Sequence, residues 1–510
     1  MKKILLALTL IGGMLTSCDM DKSAFGTLDD ETGIRDLNDI ENFTNQLYNA
    51  LRSKTAGSWI YYQEIQMDLF HGLKDNGNNG GMFANSNILS SDQDIEEMWA
   101  SLYSTISDAN FIIEKIENMR SNTVDPTTDI ELEHHYGEAL FTRAFCYVWL
   151  ADHFCQTYSE EKAGLKALGL PLVTKYHPSS DRSTYPGRST LGETFDLIDS
   201  DLISAYNALK AYQAIKAPEQ NDAYLNVYTV AALQARVALL KGDNATALAK
   251  AREVIESKVY ELTGIAGYSN LWSWDTGSEV IFRPFMSSNE LGVSTSSGWF
   301  LSNNEQSAFY IPTYDMISMY LDKDGSSSSD VRFITFFTEY NKLQVNGSTY
   351  KCVVFNKFPG NENLKTGTQR NFVNMMKPFR LSEMYLIAAE ASAKSDPTAA
   401  NKYLNDLRTN RIINYKPVTL SGAELMTAIK TERLKELIGE GFRMSDLRRW
   451  HQGFSRNPNH MENPALNEII NPKGAAVSYE PDDYRFVWPI PSAEIQSNPQ
   501  LDGQQNPGYN

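Results

Sequence analysis

The sequence predicts a mostly α-helical protein, with tetratricopeptide-like helical hairpins as a scaffold and a loop-rich, minor-β ligand-binding subdomain. Three observations support this fold class. Apolar residues recur at helical spacing over about residues 40–258, and small residues line pairs of adjacent helices. Between about residues 261 and 378, Gly, Ser, Asn and aromatic residues replace the helical period. Ligand contacts are therefore expected in loops that the helices hold in place.

Three amphipathic helices are predicted in the first half of the chain. Apolar residues recur every three to four positions over residues 95–119, 136–154 and 190–209. Thr190 and Glu193 have the spacing of a capping box, which marks the start of the third helix.

Two later segments have the pattern of closely packed helical hairpins. Residues 228–257 carry alanines on two stripes separated by Gly242, a residue that suits a helix C-terminus. Residues 384–411 repeat this design, with Pro397 at a position that the first turn of a helix tolerates. Both hairpins are interpreted as scaffold without ligand contacts.

The N-terminus has the features of an exported, lipid-anchored protein. Lys2 and Lys3 precede the apolar residues 4–14, a stretch shorter than the about 20 residues that a membrane-spanning helix needs. Residues 15–18, LTSC, resemble a bacterial lipobox. This resemblance implies that Cys18 becomes the lipid-carrying mature N-terminus. The alternative is an ordinary secretory signal with an incidental cysteine at its end.

Length and composition divide the chain into four parts. Removal of the first 17 residues leaves 493, more than the about 250–300 at which single cores usually divide. We assign residues 1–17 to a signal peptide and 18–38 to a lipidated flexible leash. Residues 39–260 form an N-terminal helical region, and 261–510 form a C-terminal region that contains the insertion at about 261–378.

Charge and cysteine content exclude several classes of protein. The formal net charge of −17 becomes −19 without Lys2 and Lys3, and nucleic acid binding requires a positive surface instead. No later apolar run is long enough for a membrane helix, so the N-terminal lipid is the predicted membrane contact. Cys146, Cys155 and Cys352 are odd in number and lack a Cys-x-x-Cys motif, which indicates buried free thiols.

A run of charged residues near the C-terminus has two interpretations. Its opposite charges recur at helical spacing, which is compatible with a catalytic site or with ion pairs between helices and the core. We favour ion pairs, with Phe442 and Trp450 as core anchors. The charged residues are Glu432, Glu436, Glu440, Arg443, Asp446 and Arg448.

Two short patterns resemble metal sites, but other roles are favoured for both. His134, His135 and Glu138 offer metal ligands about one turn apart, yet no further histidine is near in sequence, so a solvated helix face is favoured over zinc. Residues 322–325, with Asp330, resemble part of a calcium loop that lacks its third acidic position and its terminal Glu. A turn is favoured there, and no metal or cofactor is predicted.

Several segments follow one another in an order that is typical of one family. Residues 138–145 contain the Arg-Ala pattern of an early helix. Residues 169–172, GLPL, follow this helix as a break into an extended segment. The most specific run begins with ERLKEL at residue 432 and ends with DLRRW at residue 450. Further matching segments are residues 380–391, 404–408 and 489–509. Together they resemble the SusD/RagB family of Bacteroidetes outer-membrane lipoproteins, over essentially the whole mature chain.

The resemblance implies a cell-surface glycan-binding lipoprotein without catalytic activity. Such proteins lie over a TonB-dependent, SusC-like outer-membrane channel and deliver oligosaccharide for nutrient import. Some relatives handle peptides, so a peptide-binding member of the family and a purely structural lid stay open. The alternative from another class is a surface glycoside hydrolase, which would need two carboxylates about 5–9.5 Å apart across a cleft.

A glycan ligand needs aromatic faces for its pyranose rings and planar polar groups for its hydroxyls. Residues 59–87 and 268–310 offer this mixture, and the second region is favoured. The family's binding residues lie in variable loops, so none is transferred by position. The residues predicted to bind ligand are Trp59, Phe83, Trp272, Trp274, Trp299, Phe300, Asn303 and Tyr310.

Overall fold

The computed structural model of the protein is mostly helical, as the sequence predicts. The described residues are 34–74, 78–122, 124–216, 222–292, 299–302, 306–323, 325, 328–461 and 463–509. Cys18, the signal peptide and Asn303 therefore lie outside the described residues.

Long helices make up most of the N-terminal half, and shorter ones alternate with loops in the C-terminal half. The N-terminal helices are α1 Leu37–Lys54, α2 Ser58–Gln66, α3 Gly81–Ala84, α4 Gln93–Arg120, α5 Pro126–Phe154, α6 Glu160–Ala163, α7 Leu191–Ile215, α8 Val227–Lys241 and α9 Asn244–Glu256. The C-terminal helices are α10 Tyr268–Ser273, α11 Tyr314–Ser318, α12 Val331–Phe336, α13 Leu381–Ser392, α14 Pro397–Thr409, α15 Gly422–Leu437, α16 Arg443–Arg449, α17 Pro472–Ala475 and α18 Ser492–Ser497. Single 3₁₀ turns lie at Arg182–Thr184, Ile265–Gly267, Glu362–Leu364, Pro464–Glu468, Tyr484–Phe486 and Pro499–Leu501.

The three predicted amphipathic helices are confirmed as α4, α5 and α7, although two extend further than predicted. Helix α5 begins at Pro126 because the Asp125 side chain accepts hydrogen bonds from two backbone N–H groups and proline suits the first turn. The capping box of Thr190 and Glu193 is present in both directions, and α7 continues to Ile215.

Both predicted hairpins are confirmed. Gly242 ends α8 in the left-handed region at φ 75°, and the Asp243 side chain then caps α9. Asp396 caps α14, and Pro397 occupies its first turn. The long helices pack in chain order, α4 on α5, α5 on α7, α7 on α8, α8 on α9, α9 on α13 and α13 on α14. The closer likeness to tetratricopeptide repeats stays a prediction.

The strands are few and short, as expected for the loop-rich region. The strands are β1 Phe70–Gly72, β2 Val280–Phe282, β3 Tyr310–Pro312, β4 Phe337–Val345, β5 Ser348–Phe355, β6 Phe379–Arg380, β7 Phe454–Ser455 and β8 Ser478–Tyr479. In the described part of the chain they form the antiparallel pairs β1–β3, β2–β6, β4–β5 and β7–β8. The pair β1–β3 joins the N-terminal region to the insertion.

One large hydrophobic cluster links both halves of the protein. Its buried residues extend from Ile34 to Leu501 and so cross the predicted boundary at residue 260. Cys146, Cys155 and Cys352 are buried free thiols, as predicted. The precise domain boundaries stay predictions, while the shared core explains how the helices hold the loop-rich region in place.

Candidate functional site

The two regions predicted to bind ligand meet in space although they are far apart in sequence. The ring of Trp299 stacks on that of Tyr61, with 3.9 Å between their centroids. The Tyr310 hydroxyl donates a hydrogen bond to the carbonyl oxygen of Asn79 at 2.5 Å. Residues Tyr61, Asn78, Asn79, Trp299 and Tyr310 are therefore neighbours, and we call them the Trp299 site.

Trp299 is the half-buried centre of this site. Its ring is nearly parallel to that of Tyr310, at 9° and 5.7 Å between centroids, so two tyrosines fix its orientation. Gly80 lies beside it at φ 62°, and a Cβ there would be 2.6 Å from Ile65 Cδ1 and 2.8 Å from Trp299 Cζ3. Glycine thus permits both the left-handed turn and the close approach of the indole.

Polar residues lie on the chain segments next to Trp299. Asn78 and Asn79 are exposed. The Ser302 hydroxyl accepts hydrogen bonds from the backbone N–H groups of Gln306 at 3.2 Å and Ser307 at 3.0 Å. An aromatic ring bordered by amides is the combination that pyranose recognition requires.

Four of the predicted ligand-binding side chains lie in the core instead. Phe83, Trp272, Phe300 and Tyr310 are each at most 1 % exposed. Phe83 stacks on Tyr62 at 4.2 Å between centroids, and the other three also pack against aromatic rings. Buried faces cannot stack on a sugar, so these four residues are corrected to supporting positions. Aromatic residues serve cores and ligand sites alike, so sequence composition did not separate the two uses.

The remaining predicted tryptophans differ in exposure. Trp59 is half-buried, 4.9 Å from the ring of Trp149 and 5.6 Å from the Lys54 ammonium group. Trp274 is 45 % exposed, directly after α10. Trp274 is therefore the exposed indole among the predicted residues that the structure describes, while Trp299 is half-buried at the point where the two predicted regions meet.

The charged C-terminal run forms ion pairs in the core, as favoured from the sequence. Glu436 is fully buried and accepts from Arg332 at 3.1 Å and from Arg380 and Arg411 at 2.9 Å each. These pairs tie the loop-rich region to α14 and α15. The Glu436 network, as we call it, consists of Glu279, Asp330, Arg332, Lys357, Arg380, Arg408, Arg411, Glu432, Lys435, Glu436 and Glu440.

Electrostatics in the Glu436 network keep its carboxylates ionised. Burial alone would raise the pKa of Glu436, but the guanidinium groups of Arg411, Arg380 and Arg332 hold it well below its usual range. Burial also opposes ionisation of Asp330, yet Arg332 and Lys435 lower its pKa to about 2. Carboxylates that are ionised, paired and shielded from solvent are structural groups.

The rest of the charged run has the same role. Arg443 pairs with Asp68 at 2.7 Å, and Asp446 pairs with Arg433 and Arg449 at 2.8 Å each. Arg448 contacts Asp152 at 3.7 Å.

Phe442 and Trp450 are half-buried and not full core anchors. Guanidinium groups occupy positions against both rings, with the centre of the Arg236 group 4.9 Å from the Phe442 centroid and that of Arg449 4.7 Å from the Trp450 centroid. Cations therefore cover faces that apolar side chains were expected to cover.

Asp322 and Gly325 are joined by a turn-type hydrogen bond, in agreement with the predicted turn. The Gly325 N–H donates to the Asp322 carbonyl oxygen at 2.8 Å. The Asp330 carboxylate is committed to Arg332 and Lys435, both at 2.7 Å. Asp330 also caps α12.

The expected solvated helix face at His134, His135 and Glu138 is wrong. Glu138 is 2 % exposed, and the two histidine side chains are 17 % and 12 % exposed. They line a cavity of about 720 Å³ between α1, α5, α7 and the start of α8. Helical spacing showed that the three residues share a face, but the helices that cover this face come from elsewhere in the sequence.

Sequence reasoning also missed a smaller cavity of about 100 Å³, lined by apolar and charged side chains. Its lining includes Trp149, His153, Arg236 and Arg449, which come from α5, α8 and α16. This volume is below the about 300 Å³ at which small-molecule sites usually begin. The cavity is therefore too small to hold an oligosaccharide.

Two family models match the chain. The model described as "Starch-binding associating with outer membrane" matches residues 26–237, and the model described as "SusD family" matches residues 333–509. Two SusD-like proteins from Formosa agariphila are each 22 % identical to this chain. One match covers 92 % of both chains, and the other covers 98 % of this chain and 97 % of the relative.

Solved structures have the same fold. A SusD superfamily protein from Bacteroides thetaiotaomicron is 26 % identical, with a TM-score of 0.75 over 93 % of this chain and 100 % of that one. A putative sugar binding protein from Bacteroides vulgatus is 24 % identical, with a TM-score of 0.73 over 94 % and 100 %. Surface glycan-binding protein A from Bacteroides fluxus is 17 % identical, with a TM-score of 0.66 over 92 % and 99 %.

The matches agree with the segment order found in the sequence. Both family models lie where that order places them, one in each half, and the structural likeness continues through the region between them. In the part of the chain that the structure describes, the helices are too short or too polar to span a membrane. The chain belongs to the SusD/RagB family.

Proposed function

We propose that the protein is a cell-surface lipoprotein that binds glycans and pairs with a TonB-dependent, SusC-like channel of the outer membrane for nutrient import. Membership of the SusD/RagB family is the observation that carries the proposal. The descriptions of starch, sugar and glycan binding among the matching family and structures favour a glycan as the ligand class.

The Trp299 site supports glycan binding through its geometry. Its indole is packed against two tyrosine rings, and the exposed residues Asn78 and Asn79 belong to the same site. Trp274 supplies a second exposed indole in the same loop-rich region. Rigid aromatic groups lose little conformational entropy on binding, which suits stacking on the apolar C–H face of a pyranose ring.

The Glu436 network supports a role in binding and not in catalysis. A glycosidase needs one carboxylic acid and one carboxylate that face the substrate across a cleft. The most concentrated acidic groups of this chain face arginines in the core, where Glu432, Glu436 and Glu279 are at most 1 % exposed. We therefore propose that the protein delivers glycan without cleaving it.

Retention of the mature chain on polysaccharide affinity gels tests the ligand class. We expect retention on at least one polysaccharide, followed by saturable oligosaccharide binding in calorimetry. Trp274→Ala and Trp299→Ala should each weaken this binding about two- to tenfold, because an aromatic contact contributes about 0.5–1.5 kcal/mol. Phe285→Ala is the matched control, since Phe285 is an exposed aromatic residue of the same region that was not predicted to bind ligand.

Each other outcome would point to a different function. Release of shorter sugars from the gel would indicate a glycoside hydrolase. Saturable binding of peptides without retention on any polysaccharide would indicate a peptide-binding member of the family. Equal loss of binding in Phe285→Ala would remove Trp274 and Trp299 from the ligand site.

Membrane attachment and the channel partner need a separate test in cells. We expect fatty-acid labelling of the wild-type protein and its loss in Cys18→Ala, because the lipobox places the acyl chain on that thiol. Affinity purification of the lipidated protein should recover a TonB-dependent channel. Unlabelled wild-type protein, or purification without such a channel, would contradict the anchor or the pairing.

A further inference from the structure

The group His134, His135 and Glu138 has the composition of a transition-metal site. Each side chain can direct one ligand atom to a common point, and these atoms lie within 4.8 Å of one another. Glu138 approaches both rings, with 3.4 Å to His134 Nε2 and 3.0 Å to His135 Nδ1. Tetrahedral zinc with bonds of 2.0–2.2 Å needs ligand atoms about 3.3–3.5 Å apart. The two distances from Glu138 to the rings, 3.4 and 3.0 Å, are close to this spacing.

The charge of Glu138 gives a second reason for a cation at this point. Its side chain is 2 % exposed, and within the described part of the chain it forms ion pairs with these two histidines. A buried carboxylate is costly unless a positive charge compensates it. A bound divalent cation at the point between the three side chains would place a positive charge directly beside this carboxylate.

Neighbouring groups orient the three side chains. The His134 ring stacks on Tyr212, at 14° and 4.1 Å between centroids. The Tyr48 hydroxyl donates a hydrogen bond to Glu138 and accepts one from the backbone N–H of Leu225 at 3.0 Å. Such outer contacts hold ligands in position around metal ions.

The surrounding cavity permits entry of an ion and leaves room for a further ligand. Its volume of about 720 Å³ lies within the range of small-molecule sites, and Glu41 and Glu131 also line it. The cation that faces them, Lys216, is paired with Glu131 at 2.9 Å. The cavity wall is therefore acidic overall, which favours a cation.

We propose that His134, His135 and Glu138 form a site for a divalent transition-metal ion, with Zn²⁺ as the favoured ion. Two imidazoles and one carboxylate suit zinc better than calcium or magnesium, which prefer oxygen ligands alone. Three protein ligands leave a fourth position open to the cavity, where water or an oxygen atom of a small ligand completes the shell. The site shares no residue with the Trp299 site and does not depend on glycan binding.

Calorimetric titration of the chelator-treated, tag-free mature chain with ZnCl₂ tests this proposal. We expect one equivalent of Zn²⁺ to bind, and Co²⁺ to give the visible absorption bands of a four-coordinate site. Tyr48→Phe should weaken Zn²⁺ binding about 10- to 100-fold, as loss of an outer-shell partner does. His134→Gln and His135→Gln should each weaken it further.

His451→Gln is the matched control, because His451 pairs with Asp482 and both side chains are more than half exposed. It should bind Zn²⁺ as the wild-type protein does. Absence of stoichiometric binding, or equal affinity in His134→Gln and the wild-type protein, would overturn the proposal. Circular dichroism of each variant separates loss of the site from loss of the fold.

Discussion

The Glu436 network and the Trp299 site both stand out in the sequence as chemically rich, yet the structure uses them differently. The network collects charged side chains from helices and loops in the core, where Glu436, Arg332 and Arg411 are fully buried. The Trp299 site collects aromatic and amide groups at the ends of short elements, and part of it reaches solvent. The Glu436 network is charged but shielded from solvent. The Trp299 site is uncharged, and part of it is exposed to solvent.

This difference shows that a sequence segment rich in charged, aromatic or amide residues does not by itself indicate a functional site. Buried charges need partners, so the Glu436 carboxylate depends on the arginines around it. A sugar site needs instead a rigid surface with uncommitted faces. Three predictions, ordered by expected effect, test this division between a framework and a binding surface.

The largest effect is expected for Glu436→Gln. Loss of this carboxylate leaves Arg332, Arg380 and Arg411 with less compensating charge, so the free energy of unfolding should fall by about 3–5 kcal/mol. Urea unfolding measures the change. The control Glu339→Gln removes an exposed pair with Lys351 and should cost at most about 1 kcal/mol. Equal costs for both variants would show that the network is not a framework.

An intermediate effect is expected for the pH dependence of Asp330. Its pKa is about 2 in the folded protein and 3.8 ordinarily, which corresponds to about 2 kcal/mol. Because the folded pKa is the lower one, this stability is present above about pH 4 and is lost as the pH falls through about 2.

Urea unfolding of Asp330→Asn and the wild-type protein at several pH values measures this contribution. The stability difference between them should therefore shrink as the pH decreases from 4 to 2. A difference that is constant with pH would contradict the assigned ion pairs with Arg332 and Lys435.

The smallest difference in stability between a variant and its control, together with a direct effect on the site, is expected for Gly80→Ala. Both Gly80 and Gly347 have positive φ, so alanine at either position costs about 1–2 kcal/mol. A Cβ at Gly80 also meets Ile65 and Trp299, whereas nothing lies within 4 Å of one at Gly347. Gly80→Ala should therefore cost about 1 kcal/mol more than Gly347→Ala, because the nearest atom is the end of the flexible Ile65 side chain.

Tryptophan fluorescence and glycan affinity separate the two glycine variants further. Gly80→Ala should change the emission of Trp299 and weaken glycan binding, because the indole must move. Gly347→Ala should change neither. Normal glycan affinity in Gly80→Ala would show that the position of Trp299 is not important for binding.

Local sequence patterns predicted most of the framework correctly. Helical spacing and capping residues located α4, α7 and both hairpins, because these signals act within one or two turns of chain. The charged run was recognised as ion pairs on the same grounds. The start of α5 was missed because Pro126 and its capping residue Asp125 lie before the apolar period becomes regular.

The functional regions were predictable only in part. Composition identified residues 59–87 and 268–310, but it could not show that Trp299 stacks on Tyr61 while Phe83 and Trp272 lie in the core. Exposure of an aromatic ring depends on which distant element covers it. The same limit applies to His134 and Glu138, whose helix face was expected in solvent and instead lines a cavity.

The sequence by itself determined the helical class, the order of family segments, the acidic charge and the predicted lipid anchor at Cys18. Each of these depends on neighbouring residues or on totals over the chain. The tertiary structure alone decided which aromatic rings reach the surface, which glutamates face arginines and which histidines share a cavity with Glu138. Those properties depend on contacts between distant segments, and burial changes the chemistry of a side chain without changing the sequence around it.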